Sequence, residues 1–440
     1  MSALTFTSIV GFMKRFHFIG IGGIGMSAIA RMFLLEGKIV TGSDLSKSIV
    51  ISELEKLGAK ISYTPQASNV LQDTELVIYT PAISENNPEL VRAKELGIPV
   101  HSYPEMLGII TKEKYTIAVS GTHGKTTTTA MIAKILIDAG LDPTVIVGSL
   151  LSDQKSNFIA GKSKYFVVEA CEYKRSFLNL HPNILVVTNI DDDHLDYYKD
   201  TADIQSAFRE LASRLGAEDY LVCAPNDKNI ASVVTNLSCK IHDYSLAYNS
   251  AEKPNIDEIT LAGEHNKKNA RAAFTVARII GVSEEKIINS LNSFKGTWRR
   301  FEFKGKTALG ATVYDDYAHH PTEVIATLAM TREMFPQKKI TAIFQPHLYS
   351  RTKDHLEHFA EAFKDADNVF ITPIYAAREV FDPSISSKIV AEKVLSKHKG
   401  NVKSYEKFED IAKALSTAGE NDVIVIMGAG DIGSVVDLLL

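Results

Sequence analysis

What most constrains this chain is a rhythm running its whole length: a short β-branched or aromatic stretch, a glycine-rich turn, then an amphipathic stretch. Residues 16–21 lead into 24–36, 115–120 into 125–139, 339–345 into 353–364, and 423–427 into 431–440. Such alternation predicts α/β layers with mostly parallel sheets. At roughly 100–200 residues per domain, 440 residues imply two to four domains. The first βα series ends near 101–110 and a new strand opens at Tyr115. A helical run over 266–292 closes before Arg299 and Arg300. The expected divisions are 13–110, 111–296 and 297–440.

Composition removes several function classes. The formal charge of −5 gives no basic excess for a nucleic-acid or anionic-membrane partner. Cys171, Cys223 and Cys239 are too irregularly spaced for a disulfide framework or a zinc pattern, so a reducing, cytoplasmic setting is expected. No apolar run approaches the ~20 residues of a membrane helix. Lys14 and Arg15 follow the mildly apolar first twelve residues instead of preceding them, the wrong order for a signal peptide.

Three groups of residues carry chemistry. Gly20-Ile21-Gly22-Gly23-Ile24-Gly25 lies between an expected strand and helix, with Asp44 nineteen residues past Gly25. Glycines there let the backbone approach a diphosphate, and a helix N-terminus supplies N–H groups and a positive dipole end. Taken alone, this is an NAD fingerprint, and an NAD-dependent dehydrogenase is the reading from a different class. It leaves everything downstream unexplained. A second match, Gly428-Ala429-Gly430-Asp431-Ile432-Gly433, has too little chain after it for another nucleotide-binding half and reads as a tight turn.

The second group is Gly121-Thr122-His123-Gly124-Lys125-Thr126-Thr127. Backbone N–H groups in such a loop cradle phosphate oxygens, the lysine neutralises the β- and γ-phosphates, and the first threonine hydroxyl suits Mg²⁺. Val119 stands where the usual first glycine would be. Glu169 and the run Asp191-Asp192-Asp193-His194 each follow an expected strand, which brings them to the same sheet edge as the phosphate loop. With that loop, Glu169 and His194 read as Mg²⁺ ligands. In the third group, Asn266 and Asn269 are three apart and share a helix face, suited to an adenine edge. Arg300 suits charge on a transferring phosphoryl group.

Taken in order, these motifs resemble the Mur ligases, the ATP-dependent amide ligases of peptidoglycan precursor synthesis. The signatures are residues 121–127, Glu169, Asp193-His194-Leu195-Asp196, His265-Asn266 with Asn269, Arg299-Arg300-Phe301 and Asp316-Tyr317-Ala318-His319-His320-Pro321. The resemblance implies three domains: a Rossmann-like domain for a UDP-sugar, a central P-loop-type ATPase domain and a C-terminal Rossmann-like domain for the amino acid. It assigns Gly20, Gly22, Gly23, Ile24, Gly25, Met26, Ser27 and Asp44 to the UDP-sugar. ATP falls to residues 121–127 with Asn266, Asn269, Arg300, Asp316 and His319. Mg²⁺ falls to Thr126, Glu169 and His194, and Lys125, His194 and Arg300 carry the catalysis.

Within the family the likeness is greatest to members that join L-alanine to UDP-N-acetylmuramate. It is carried by residues 17–27 and by Phe344-Gln345-Pro346-His347-Leu348-Tyr349-Ser350-Arg351-Thr352, and it assigns Tyr317, His347 and Arg351 to the amino acid. Cys171 stands where an aspartate is commoner, and Leu348 where many relatives carry arginine. The sibling alternative is a recycling ligase that attaches a ready-made tripeptide to the same UDP-sugar. A sugar-nucleotide-binding regulator without turnover is the third, opposed by the intact Lys125, Glu169 and His194.

Overall fold

The structure is a computed structural model describing residues 10–151, 156–245, 259, 261–377 and 379–440. Three sheets follow one another along the chain. The first is wholly parallel, in the order β3-β2-β1-β4-β5, from β1 (Arg15–Ile19), β2 (Ile39–Ser43), β3 (Lys60–Ser62), β4 (Leu76–Tyr79) and β5 (Val100–Ser102). Strand order reverses between β1 and β4, which opens a crevice at the carboxyl end of β1, where residue 20 begins the first glycine turn. Helix Ile24–Leu35 follows that turn and buries Met26, Ala28, Ile29, Ala30 and Phe33.

The second sheet has the order β12-β11-β10-β6-β9-β7-β8. Its strands are β6 (Tyr115–Ser120), β7 (Thr144–Leu151), β8 (Ser156–Ile159), β9 (Tyr165–Glu169), β10 (Ile184–Val187), β11 (Tyr220–Cys223) and β12 (Lys240–Asp243). Only the β7–β8 pair is antiparallel. Central β6 is buried from Thr116 to Ser120, as a strand covered on both faces must be. The third sheet runs β13-β14-β18-β15-β16-β17, from β13 (Glu302–Lys306), β14 (Thr312–Asp316), β15 (Lys339–Phe344), β16 (Asn368–Ile371), β17 (Asn401–Ser404) and β18 (Asp422–Met427). It is parallel except for the β13–β14 edge.

The expected alternation is therefore present in all three sheets. Two expected helices are broken. The run 266–292 is divided at Gly281, with φ +93°, into Glu264–Ile280 and Glu284–Asn292. The stretch 353–364 belongs to two short helices, Tyr349–Asp354 and Leu356–Glu361, parted at His355, whose φ of −105° and ψ of 15° leave the helical well.

The chain forms two compact units. The first comprises Met1–Asp192, Asp200–Ile256 and Ala270–Phe294; the second comprises Asp193–Lys199, Asp257–Asn269 and Lys295–Leu440. The first two sheets thus share a unit, and side chains join them. Asn157 on β8 donates its amide to Ile24 O and to Ser27 Oγ, the latter at 3.0 Å. A Cβ at Gly108 would collide with the Asn179 carbonyl oxygen.

Candidate active site

In the first unit, the first glycine turn begins at Gly20, with φ +77°, and is tied down by Gly20 and Ile21 N–H donating to Ser43 O. Gly22 N–H donates to Asp44 Oδ2 at 2.8 Å, and Leu45 N–H to Asp44 Oδ1 at 2.8 Å. Asp44 is thus folded back onto the turn. Gly23 caps helix Ile24–Leu35 without a side-chain hydrogen bond. The first-turn N–H groups have no intrahelical acceptor, as at any helix start, and offer themselves to an anion. A Cβ at Gly25 would land in the Tyr103 ring, so the turn has no space for a side chain there. Met26 and Ser27 are buried below it.

The second turn leaves β6 through Gly121 (φ +130°) and Gly124 (φ +84°) and enters helix Lys125–Asp138. A side chain at Gly121 would strike Thr188 Oγ1. The loop after β10 braces it: Thr122 N–H donates to Asn189 O, His123 N–H to Asn189 Oδ1, and Asp191 N–H to Thr122 Oγ1 at 2.9 Å. His123 Nε2 lies 3.2 Å from Asp191 Oδ2. Lys125 Nζ donates to Gly121 O at 2.5 Å, Thr122 O at 3.0 Å and Glu172 Oε1 at 2.9 Å. Burial opposes its charge, but Glu172, Cys171 and Glu169 outweigh that and hold the ammonium above its usual pKa. Three donors meet three acceptors, so an arriving phosphate must displace one of them.

Glu169 ends β9, and its Oε1 accepts Gly148 N–H at 2.6 Å. Thr126 is in the first turn of the helix after the phosphate loop, with its neighbour Thr127. A hydroxyl and a carboxylate at that edge form the hard oxygen donor set that Mg²⁺ takes, so the residues fit the ion. The third expected ligand, His194, falls in the second unit. Its φ is +56°, and its N–H donates to Asp193 Oδ1 at 2.7 Å.

The second unit gathers the remaining residues. Asp193 is buried, and Arg351 grips its Oδ1 with Nε at 3.4 Å and Nη2 at 3.1 Å. Burial raises the Asp193 pKa, but the charges of His194, Arg351, His319 and His320 prevail and hold it far below the carboxylate range. Arg351 Nη1 also donates to His347 Nδ1 at 3.2 Å. A small cavity beside them is lined by Asp193, His194, Leu348, Ser350, Arg351 and His355, among others. Asp316 is fully engaged with backbone: Phe301 N–H donates to Oδ2 at 2.6 Å and Ala318 N–H to Oδ1 at 2.7 Å. Burial nevertheless pushes its pKa up to about 6. His319 Nδ1 sits 2.9 Å from Tyr317 O and 3.2 Å from Glu323 Oε2. Asn266 and Asn269 lie on the same helix; Asn266 donates to Ala262 O, and Asn269 is buried.

The adjacent arginines divide their work. Arg300 lies over the Tyr317 ring at 5.3 Å, 3.8 Å from Glu323. Arg299 is buried, bonded to Asp315 at 3.0 Å and to the carbonyls of Gly428 and Gly430. The second glycine string is therefore a turn held by an arginine. Sequence reasoning gave no role to Glu172, Asn157 or Tyr103. Glu172 lies three residues past Glu169, and the others carried no local signal.

The chain matches the family descriptions "Mur ligase family, catalytic domain" over 15–115, "Mur ligase middle domain" over 119–277 and "Mur ligase, glutamate ligase domain" over 299–430. It belongs to the Mur ligase family, the ATP-dependent amide ligases. It is 42% identical to the UDP-N-acetylmuramate–L-alanine ligase of Clostridium kluyveri, over 97% of this chain and 98% of that one. Among solved structures, the UDP-N-acetylmuramate–alanine ligase of Thermotoga maritima superposes with a TM-score of 0.79 at 29% identity, covering 96% of this chain and 97% of that one. A murein peptide ligase from Psychrobacter arcticus shares the fold, with a TM-score of 0.70 at 24% identity and 97% and 98% coverage. Among the described residues, no helix is long and apolar enough to cross a membrane.

Proposed function

We propose that this enzyme joins L-alanine to the lactyl carboxylate of UDP-N-acetylmuramate, with ATP becoming ADP and phosphate. The observation that carries the reading is the full-length likeness to L-alanine ligases, together with the residue 344–352 segment, whose Arg351 lines a small cavity and donates to His347. The peptide-ligase fold is shared, but at lower identity.

A carboxylate is a poor electrophile. Its oxygen attacks the γ-phosphorus, the bond to the β-phosphate oxygen breaks, and ADP leaves an acyl phosphate. The alanine amine, once deprotonated, attacks the acyl carbon, and phosphate leaves as the amide forms. In this reading residues 13–110 hold the UDP-sugar, 111–296 the ATP and 297–440 the amino acid. Lys125 offsets the charge of a carboxylate meeting a triphosphate. Arg300 meets charge on the transferring group. Asn266, Asn269, Asp316 and His319 serve the nucleotide. Thr126, Glu169 and His194 would hold Mg²⁺, which when bound supplies further charge neutralisation. Tyr317, His347 and Arg351 orient alanine. Arg351 already holds one carboxylate, that of Asp193, so alanine must share or displace that pair. All three cysteines are free, in keeping with a cytoplasmic setting.

The test is phosphate release from ATP with UDP-N-acetylmuramate, alone, with L-alanine, or with a tripeptide. Stimulation by alanine is expected. Stimulation by the tripeptide alone would replace this reading with the recycling one.

A further inference from the structure

The segment carrying His347 and Arg351 does not hold its shape unaided. Leu348, at its centre, has φ +69° and ψ 136°, a conformation that costs a branched residue about 1–3 kcal/mol and persists only where surroundings enforce it. The surroundings are a second segment of the same unit, beginning at Tyr375. Leu348 N–H donates to Tyr375 O and Tyr375 N–H to Pro346 O, both at 2.9 Å. The rings of His347 and Tyr375 stack at 5.7 Å. Farther along, Glu379 turns its carboxylate onto the start of helix Tyr349–Asp354. Ser350 N–H donates to Glu379 Oε2 at 3.1 Å, and Ser350 Oγ to Oε1. Phe381 meets the Tyr349 ring edge-on at 5.8 Å, and Lys353 reaches Ser384. Ala377, between these contacts, also has positive φ, +48°.

From this we infer that Glu379 is a positioning residue for the amino-acid step: it clamps Ser350 and thereby fixes the direction in which the next residue, Arg351, and His347 present their donors. The inference rests on the alanine-ligase reading. Glu379 touches neither Arg351 nor His347 in any of the contacts above; it acts through the backbone between them. A carboxylate receiving a backbone N–H and a hydroxyl is a charge-assisted clamp, stronger than a neutral pair. Without it, the strained turn at Leu348 can relax, and an arginine that must meet a small carboxylate loses its aim. Alanine offers only a methyl group, an amine and a carboxylate, so small misdirection is costly.

The test uses the full chain and three variants, Glu379→Gln, Glu379→Ala and Glu379→Asp. Expected are rises in the KM for L-alanine of about tenfold for Glu379→Gln and about 30-fold for Glu379→Ala, the loss of a charge-assisted pair, with partial recovery in Glu379→Asp. KM values for ATP and UDP-N-acetylmuramate should stay within twofold. Acyl-phosphate formation, trapped as the hydroxamate by hydroxylamine with no amino acid present, should be unchanged in all three. A role in general stability would lower hydroxamate yield and alanine use together, and that result overturns the inference. So does an alanine KM within twofold of wild type in Glu379→Ala. Should Glu379→Ala fail to fold, Ser350→Ala, which removes only the hydroxyl donor, must raise the alanine KM about threefold. A wild-type enzyme that ignores alanine condemns the ligase reading instead, and is scored separately.

Discussion

The turns at 20–25 and 428–433 share the same glycine spacing, follow a parallel strand, and rest on a buried acid. Under the first turn the acid is Glu89, which accepts from the Ser43 hydroxyl, while the Ser43 carbonyl takes the N–H groups of Gly20 and Ile21. Under the last turn it is Asp315, gripped by Arg299, whose other nitrogens take the carbonyls of Gly428 and Gly430. The first turn feeds a helix of 12 residues with an uncapped N-terminus. The last feeds a four-residue 3₁₀ turn, and its Ile432 N–H is taken by Gln345 Oε1. The first turn leads into a helix whose first-turn N–H groups have no intrahelical acceptor, whereas the carbonyls of the last turn accept from a buried arginine. Spacing alone does not make a phosphate cradle; a real helix with open donors does.

A third turn, 121–124, sets the scale for this contrast because it adds a charge. Lys125→Ala should lower kcat by about 10²–10³-fold, the loss of a donor to developing charge, with UDP-N-acetylmuramate affinity within a few-fold. Steady-state rates and equilibrium binding check it, and retention of a tenth of the rate would refute it. Arg299→Ala should instead unfold the last turn. It strands a buried carboxylate, at a cost of about 3–5 kcal/mol, so a lower midpoint in urea is expected. UDP-sugar binding should be intact below that midpoint, and loss of binding without loss of stability would erase the distinction.

Gly22→Val tests the first turn. A Cβ there would lie 2.8 Å from both Asp44 Oδ2 and Ile51 Cδ1. UDP-N-acetylmuramate affinity should fall by about 30-fold, roughly 2 kcal/mol, while NADH should not bind the wild type usefully. Calorimetric titration of both ligands decides it. The smallest effect concerns the acid below. Burial raises the Glu89 pKa, but His17, Ser43 and Asn69 outweigh it and hold the carboxyl below its usual range. A depressed folded-state pKa stabilises the protein above the unfolded-state pKa, about 4.3, and that stability is lost as pH falls through the folded-state value. Glu89→Gln should flatten this acid limb in urea titrations at successive pH values. An unchanged limb would show that Ser43 does not depend on the charge.

The central strands and the three glycine turns were legible because a parallel sheet buried on both faces writes itself as short apolar runs, and β6 matched its expected bounds; exposed edge strands such as β12 and β17 carry no such run and were not expected. Arg300 was singled out for chemistry, but the burial of Arg299 against Asp315 and the 428–430 carbonyls was not legible, since only packing decides which of two neighbouring arginines is enclosed. The partner of Arg351 was equally hidden. Arg351 was expected to meet the amino acid, whereas the carboxylate it holds is that of Asp193, 158 positions away. Glu379 was illegible for the same reason, being significant only through a backbone turn that no residue type announces.

That separation has a consequence in time. The segment Asp193–Lys199 belongs to the same compact unit as Lys295–Leu440. At a synthesis rate of about 5–20 residues per second, Asp193 leaves the ribosome roughly 8–30 seconds before the arginine that neutralises it. Its ion pair cannot form on the growing chain until most of the protein has been made, so the second unit is completed late and a carboxylate destined for burial waits in water until then.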